Sequence, residues 1–503
     1  MDPNDGSNYR KSSLTKDAII GTINANYKGY WFIEGTVRRD RTSTMNPNNN
    51  SFVYPSVNSA FVISDAVKLP SIVSYAKLRA SWGVVGNYPQ PYLANVAYTL
   101  SNLGNQGSGG STLSTSTQTD TYGNDAIKPE KKHELEFGLE TRLLGDRLNF
   151  DVAYYSAKIV DMIVPLQIAA VTGANHVLSN VGTLKNAGLE FNISGTPMVG
   201  RNFTWESGVN FSFNNNKLVK LTTGLNEFTH ADYDGNAAVL KSVVGRPIGD
   251  FYAHPILTDG KGNNVIADYG GGEFNYQIDG NKLERYGNAM VKAVGGFFNT
   301  FKYKNFTLEA FTDFRIGGDV MPTALFWMTS RGLTKESLNA MDAAHGGVSY
   351  YKDAQGRGIE TTASTGPGGE TVYHDGIKMG GVFPNGTPNN FVTSQFFYYW
   401  DHYNWGGPQY SNSQYFRYIV KNTYWKMREL SISYTLPQSI ARKIKATKLQ
   451  VSVFGRNLFY LYRTIKDMDA EQLTAGLSWS SSVNNAGSQP STRTFGVSLR
   501  AGF

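Results

Sequence analysis

The chain has no cysteine, few charged residues and no long hydrophobic run, and each absence removes a class of protein. Without cysteine, neither disulfide bonds nor thiolate-bound metals can form. Because no stretch of 18 or more apolar residues occurs and the mean hydropathy is -0.34, a transmembrane helix is excluded. A transmembrane β-barrel is not excluded, since strands that alternate apolar and polar residues average to a polar hydropathy.

The basic residues are dispersed, and motifs of enzyme active sites are missing. Lys and Arg number 47 against 40 Asp and Glu, but no Lys/Arg block appears, so nucleic acid is not a predicted partner. The seven histidines have no paired spacing, and there is no Gly-x-Ser-x-Gly elbow, phosphate loop or dinucleotide fingerprint. We therefore predict that the protein is not an enzyme and has no cofactor.

One segment imitates part of a calcium-binding loop. Asp232, Asp234 and Asn236 stand at the first, third and fifth positions of an EF-hand pattern. Ala237, however, replaces the required glycine, and Val243 stands where the closing Glu should be. The EF-hand is therefore rejected, and irregular oxygen-ligand calcium sites in long loops stay open as an alternative without support.

The residues that are abundant favour β-structure. Aromatics make up 13% of the chain and glycines number 53, which is typical of strands joined by turns. In residues 203–213 the residue types alternate strictly, with Phe203, Trp205 and Phe211 on one face and Thr204 and Asn210 on the other. A high content of aromatic residues is also typical of membrane barrels, which carry aromatic girdles at the two membrane interfaces.

About thirteen segments follow this pattern, and their connections differ in length. Two links are very short, at residues 144–146 and 304–305, whereas four connections are far longer than is usual. Tight turns on one side and long loops on the other are typical of outer-membrane barrels. The predicted strands lie near residues 17–28, 30–43, 56–64, 74–86, 134–140, 148–154, 189–194, 203–213, 289–304, 306–317, 425–437, 446–459 and 493–503. The predicted long loops lie near residues 87–130, 222–288, 318–422 and 462–492.

The last strand argues against a soluble β-sandwich, which could bury the same alternating faces in its core. Its apolar residues end on an aromatic ring, which is similar to the signal that the barrel-assembly machinery reads. The predicted assembly signal consists of Phe495, Val497, Leu499, Ala501 and Phe503.

Five sequence blocks lie at residues 77–87, 127–140, 180–190, 424–437 and 455–459. In this order and spacing they resemble the SusC/RagA-like TonB-dependent transporters of Bacteroidota. Their glycines, such as Gly86 and Gly182, are predicted to adopt positive φ at strand ends, and Pro437 is predicted to close a strand.

The resemblance implies an all-β fold, an antiparallel transmembrane β-barrel of the outer membrane. About thirteen strands against the 22 of such transporters would make residues 1–503 the C-terminal portion of the barrel, with the plug domain and the signal peptide expected ahead of Met1. It further implies import of an oligosaccharide or oligopeptide, powered through TonB by the N-terminal segments, with a SusD-like surface lipoprotein as partner. A soluble β-rich glycan-binding module is the alternative function.

The densest aromatic segment, residues 396–405, supplies the candidate binding site. Aromatic faces beside polar side chains suit sugar rings or peptide side chains. The competing interpretation is that these rings pack within loops or contact a partner. The predicted ligand-binding residues are Trp400, Asp401, Tyr403 and Trp405.

Overall fold

A computed structural model describes most of the chain, which divides into two compact units. The first comprises Met1–Phe228, Val243–Pro247 and Gly295–Glu309, and the second Thr229–Ser242, Ile248–Val294 and Ala310–Phe503. The described residues are 13–89, 98–103, 113–118, 121–168, 171, 174, 176–222, 224–233, 237–402, 413–473 and 489–503. The predicted positions Asp234 and Asn236 lie outside them.

Thirteen strands of the described residues form one large sheet, and each coincides with a segment predicted from alternation. They are β1 Lys16–Tyr27, β2 Trp31–Thr42, β3 Ser51–Val62, β4 Val73–Asn87, β5 Glu130–Leu143, β6 Leu148–Val160, β7 Gly182–Val199, β8 Phe203–Leu221, β9 Val291–Tyr303, β10 Phe306–Gly317, β11 Tyr424–Thr435, β12 Lys448–Arg463 and β13 Thr494–Gly502. The first unit holds β1 to β8, most of β9 and the start of β10, and the second holds the rest of β10 with β11 to β13. Strands follow one another in chain order, antiparallel from β1 to β8 and from β11 to β13.

The sheet of the first unit has one apolar and one polar face. Directly paired residues form an apolar row across seven strands: Trp31, Phe61, Leu78, Leu139, Val152, Phe191 and Phe211. The adjacent row, on the opposite face, is polar: Lys77, Glu140, Asp151, Asn192 and Asn210. The apolar face is not covered, since Leu78 is 48% exposed and Phe137 is 51% exposed. A soluble sheet would bury such a face.

The same division appears in β11 to β13 of the second unit. Ile432, Val453 and Val497 are paired across the three strands, and all three side chains are more than half exposed. In the next row the hydroxyl groups of Ser433 and Ser452 are 2.8 Å apart. The alternation of apolar and polar residues in the sequence therefore gives the sheet an exposed apolar face and a hydrogen-bonded polar face.

The two predicted tight turns are confirmed, but the predicted reason for two glycines is wrong. Gly145 has φ +63° in the β5–β6 turn and Lys304 has φ +49° in the β9–β10 turn. Gly86 and Gly182 do not have positive φ. A Cβ at Gly86 would lie 2.1 Å from Tyr54 Oη, and one at Gly182 would lie 3.2 Å from a backbone carbonyl oxygen. At Gly86 the Tyr54 ring would have to move to admit a side chain, and at Gly182 the fit would be tight.

The long connections fold into small sheets and short helices. The cores that hold them join distant segments: one contains Phe251, Phe326 and Tyr418, and another contains Ile266, Phe274 and Met379. The helices are Pro47–Asn49, Ile63–Ala66, Thr323–Ser330, Glu336–Leu338, Ala343–His345, Gln395–Trp400, Tyr415–Tyr418, Gln438–Ala441 and Arg442–Ile444. The short strands are Tyr98–Leu103, Leu113–Gln118, Thr121–Tyr122, Ile163–Gln167, His176–Asn180, Glu227–Tyr233, Ala238–Val243, Asp250–Ala253, Ile266–Gly270, Glu273–Tyr276, Glu284–Asn288, Asp319–Val320, Val348–Lys352, Gly358–Glu360, Val372–Ile377, Thr393–Ser394 and Val420–Lys421. Among the described residues, no helix has both the length and the apolar character needed to cross a membrane.

Candidate functional site

The described part of the predicted aromatic segment begins with a short helix, Gln395–Trp400, in the second unit. Ser394 begins it, because its hydroxyl oxygen accepts a hydrogen bond from the Phe397 backbone N–H at 3.2 Å. The Trp400 ring stacks on Phe396 with centroids 5.5 Å apart, and the Arg331 guanidinium carbon lies 3.9 Å from the Trp400 centroid. Trp400 thus has two close packing partners within the protein.

The next residue, Asp401, is buried, and its carboxyl group lacks hydrogen-bond partners within the described residues. Its side chain is 1% exposed, and neither carboxyl oxygen has a hydrogen-bond partner among the described residues. Burial, together with the nearby negative charge of Glu273, raises the pKa of Asp401 to about 8. The carboxyl group is therefore mostly protonated at neutral pH, and it can donate a hydrogen bond.

His402 is enclosed by aromatic rings. Its Nδ1 lies 2.9 Å from the Tyr418 hydroxyl oxygen, and its ring centroid lies 4.8 Å from that of Tyr398. Burial, with a smaller contribution from the charge of Arg417, lowers the pKa of His402 to about 3. The imidazole is thus neutral, and its Nε2 has no hydrogen-bond partner in the part of the chain that the structure describes.

Of the four predicted ligand-binding residues, the structure brings Trp400 and Asp401 together at the end of one helix. Tyr403 and Trp405 lie outside the described residues, so their role stays a prediction. The residues of the predicted assembly signal, Phe495, Val497, Leu499, Ala501 and Phe503, project from β13 or follow it, and all five are exposed. Their reading by an assembly machinery also stays a prediction.

A second group of polar residues was not identified from the sequence. Lys426 on β11 is buried, with its ammonium group 2.8 Å from a Glu471 carboxylate oxygen and 2.8 Å from the Ser491 hydroxyl oxygen. Arg428, two residues along the same face, donates to Glu471 and to Asp313 of β10, each at 2.7 Å. The network therefore ties β10 and β11 to the segment that follows β12.

Asp469 belongs to the same segment and has several hydrogen-bond donors. It accepts from the Ser491 backbone N–H at 2.8 Å, from the Ser491 hydroxyl at 2.6 Å and from the Tyr460 hydroxyl. Burial alone would raise its pKa, but these hydrogen bonds and the charge of Lys426 lower the pKa of Asp469 to about 2. Asp469 is thus a fixed anion at neutral pH.

A cavity of about 500 Å³ adjoins this network. Its walls come from the helix Thr323–Ser330, the last third of β12 and the two described segments of the β12–β13 connection. Lys426 and Arg428 lie in a block that the sequence marks only as architectural. Their acidic partner Glu471 is more than 40 residues further along the chain, so no local pattern predicts the pairing.

Within the described ranges, no group of three or more His, Asp or Glu side chains could hold a metal ion. Asp232, the described member of the calcium-like triplet, lies in the strand Glu227–Tyr233. The absence of a cofactor stays a prediction.

Comparison with known proteins gives a family match over most of the chain. Residues 1–320 match the model of the TonB dependent receptor-like, beta-barrel family. The TonB-dependent receptor P3 of Formosa agariphila is 25% identical over 515 residues, which cover 97% of this chain and 45% of the relative. The TonB-dependent receptor SusC of Bacteroides thetaiotaomicron is 26% identical over 303 residues, which cover 58% of this chain and 30% of the relative. The chain spans less than half of each relative's length.

Solved structures have the same fold. The RagAB peptide importer in its closed-closed state contains a chain that superposes with a TM-score of 0.67 at 17% identity. The superposition covers 97% of this chain and 47% of that one.

Proposed function

Because the chain belongs to the TonB-dependent receptor-like β-barrel family, we propose that the protein imports an oligosaccharide or oligopeptide nutrient across the outer membrane. Membership of this family places the chain in the outer membrane of a Gram-negative bacterium, and its relatives are from Bacteroidota. Import requires no bond chemistry, which agrees with a sequence that has no motif of an active site.

The observation that carries this proposal is the pair of rows in the first unit. An apolar row runs uninterrupted from Trp31 on β2 to Phe211 on β8, and the row beside it is charged or polar from Lys77 to Asn210. A sheet with such faces fits a wall between lipid and water. In water, the exposed apolar face would be a site of aggregation, which argues against the alternative of a soluble glycan-binding module.

Two partners follow from the resemblance to SusC and RagA. A SusD-like surface lipoprotein would contact the long connections, and the TonB complex would supply the energy. The small sheets and cores in the long connections support the first partner, because they present folded surfaces for a lipoprotein to contact.

Uptake by living cells tests the proposal. The gene would be deleted in its native host, and uptake of labelled oligosaccharides and oligopeptides would be measured with and without an uncoupler of the proton gradient. We expect deletion to abolish uptake of one ligand class, the intact gene to restore it, and the uncoupler to stop it. Uptake that is unchanged for the whole panel, or that ignores the uncoupler, would contradict the proposal.

A further inference from the structure

The cavity beside Lys426 has walls of two kinds. One part is apolar, formed by Ala324, Met328, Leu458, Phe459, Met468 and Leu473. The other part is polar, and it is richer in cations than in acids. At 500 Å³ the cavity has the size of a small-molecule site, and its mixed walls suit a ligand with both apolar and charged parts.

The acids in the wall already have donors from the protein. Asp469 accepts from Ser491 and from Tyr460, as described above, and it also accepts from the Glu471 backbone N–H at 3.1 Å. Asp467 accepts from the Lys335 backbone N–H at 3.3 Å. Because its two oxygens accept four hydrogen bonds, Asp469 is poorly placed to bind a cationic ligand, whereas Asp467 accepts one hydrogen bond within the described residues.

Most of the cations in the wall lack a partner of opposite charge within the described residues. Lys466 and Arg493 line the cavity, and neither side chain has a hydrogen-bond or ion-pair partner in the described part of the chain. Among the described residues, Arg463 donates only to the Met468 carbonyl oxygen, at 3.3 Å, and its guanidinium lies over the Tyr460 ring. Lys426, in contrast, is neutralised by Glu471. Three cationic groups are therefore available to an anion.

We propose that this cavity is a subsite for a carboxylate group on the imported oligomer, with Arg463, Lys466 and Arg493 as its donors. Guanidinium groups bind carboxylates with two parallel hydrogen bonds, and an ammonium group adds a third donor. The neighbouring apolar wall contacts the ring or side chain that carries the carboxylate. The inference rests on the proposed import function, and it narrows the substrate to acidic oligosaccharides or to peptides with a free carboxylate.

The test measures affinity in the complete protein, purified in detergent. The probes are tetragalacturonate against maltotetraose, and tetra-alanine against its C-terminal amide. The variant combines Lys466→Gln with Arg493→Gln. The control combines Lys261→Gln with Arg442→Gln, which removes two exposed cations of the same unit away from the cavity. Melting temperatures in detergent verify that both variants are folded.

We expect the wild type to bind at least one carboxylate probe better than its neutral counterpart. The cavity variant should bind that probe at least tenfold more weakly, while the control variant keeps wild-type affinity. Which probe responds distinguishes a sugar carboxylate from a peptide carboxylate. Equal losses for charged and neutral probes, or no loss, would overturn the subsite.

The two proposals can fail separately. If cells import neutral oligomers in an energy-dependent way and the cavity variant imports them normally, the carboxylate subsite is wrong and the import function stands. If uptake of the whole labelled panel is unchanged by gene deletion, the import function itself is wrong.

Discussion

The ammonium group of Lys426 lies 2.8 Å from a carboxylate oxygen of Glu471, and the Lys426 side chain is only 2% exposed. The same carboxylate forms an ion pair with the Arg428 guanidinium, whose nitrogen lies 2.7 Å from a Glu471 oxygen. Arg428 also pairs with Asp313, and Glu471 on the β12–β13 connection bridges the two cations of β11. Removal of that acid leaves both cations without their shared partner.

We predict that Glu471→Gln lowers stability by about 3 kcal/mol, because breaking a buried ion pair leaves an uncompensated charge. Lys426→Met should lower stability less, since Glu471 keeps its ion pair with Arg428. The control is Glu360→Gln, whose partner Lys378 is 44% exposed, and a cost below about 1 kcal/mol is expected there. The melting temperatures of the three variants in detergent give the order of their effects on stability. Equal effects of Glu471→Gln and Glu360→Gln would show that the network adds little.

The buried carboxyl of Asp401 makes stability depend on pH. Its pKa in the folded protein, about 8, is above that of the unfolded chain, so the unfolded chain loses this proton first as pH rises. The contribution of Asp401 is then full below about pH 4 and is lost as the pH rises to about 8. We predict that Asp401→Asn stabilises the protein relative to the wild type more at pH 8.5 than at pH 5.

The measurement is the melting temperature in detergent at both pH values. The difference between Asp401→Asn and the wild type should grow with pH, by on the order of 2 to 5 kcal/mol. Asp125→Asn, at an exposed position, is the matched control and should leave the pH dependence unchanged. A parallel pH dependence for Asp401→Asn and the wild type would show that Asp401 is charged in the folded protein.

The large sheet could be predicted from the sequence because its signal is local. In β8, alternation within eleven residues is enough to assign Phe211 and Asn210 to opposite faces. The structure within the long connections could not be predicted in this way. Phe251 and Tyr418 share one core although 167 residues separate them, and no periodicity records such a contact.

The candidate site was predictable only in part, for a similar reason. The aromatic run is dense within a few residues, so the sequence alone singles out Trp400 and Asp401, whose role in ligand binding stays a prediction. The cations of the cavity, in contrast, are ordinary residues of a strand end and a connection. Arg463 and Arg493 become neighbours of one cavity only when β12 and the segment before β13 fold together.

Introducing a charged residue on the apolar face tests whether this face contacts lipid. Leu78 lies in the apolar row and is 48% exposed, so Leu78→Arg would place a guanidinium in the hydrocarbon region. We predict a loss of about 2 to 4 kcal/mol and a lower outer-membrane level. Ser81→Arg, three residues along β4 and paired with Glu136 on the polar face, should be tolerated. If Leu78→Arg is tolerated equally well, this face does not contact lipid.

Substitution of Trp400 distinguishes packing from ligand binding. Its contacts with Phe396 and with Arg331 lead us to expect that Trp400→Ala lowers the folded amount of protein, by about 1 to 3 kcal/mol of stability. Ligand affinity per folded molecule should be unchanged, and Trp400→Phe should restore part of the stability. Weaker binding at normal abundance would instead assign Trp400 to the ligand site, together with Tyr403 and Trp405.

Gly188 lies where two neighbouring strands leave no room for a side chain. A Cβ there would lie 2.4 Å from the Phe213 carbonyl oxygen and 2.4 Å from the Tyr155 hydroxyl oxygen, which itself donates to Asn214 at 3.0 Å. We predict that Gly188→Ala costs about 1 to 3 kcal/mol, because backbone and ring must both shift. Gly35→Ala in β2 has open space around the new Cβ and should be near neutral.

A double variant separates the two contacts of Gly188. Tyr155→Ala removes the ring but not the Phe213 carbonyl oxygen, so it should reduce the additional cost of Gly188→Ala without abolishing it. Melting temperatures of the wild type, the two single variants and the double variant give the coupling energy. A coupling near zero would mean that the Phe213 backbone alone sets the requirement for glycine, and the family block around Gly188 would then reflect strand spacing rather than the position of Tyr155.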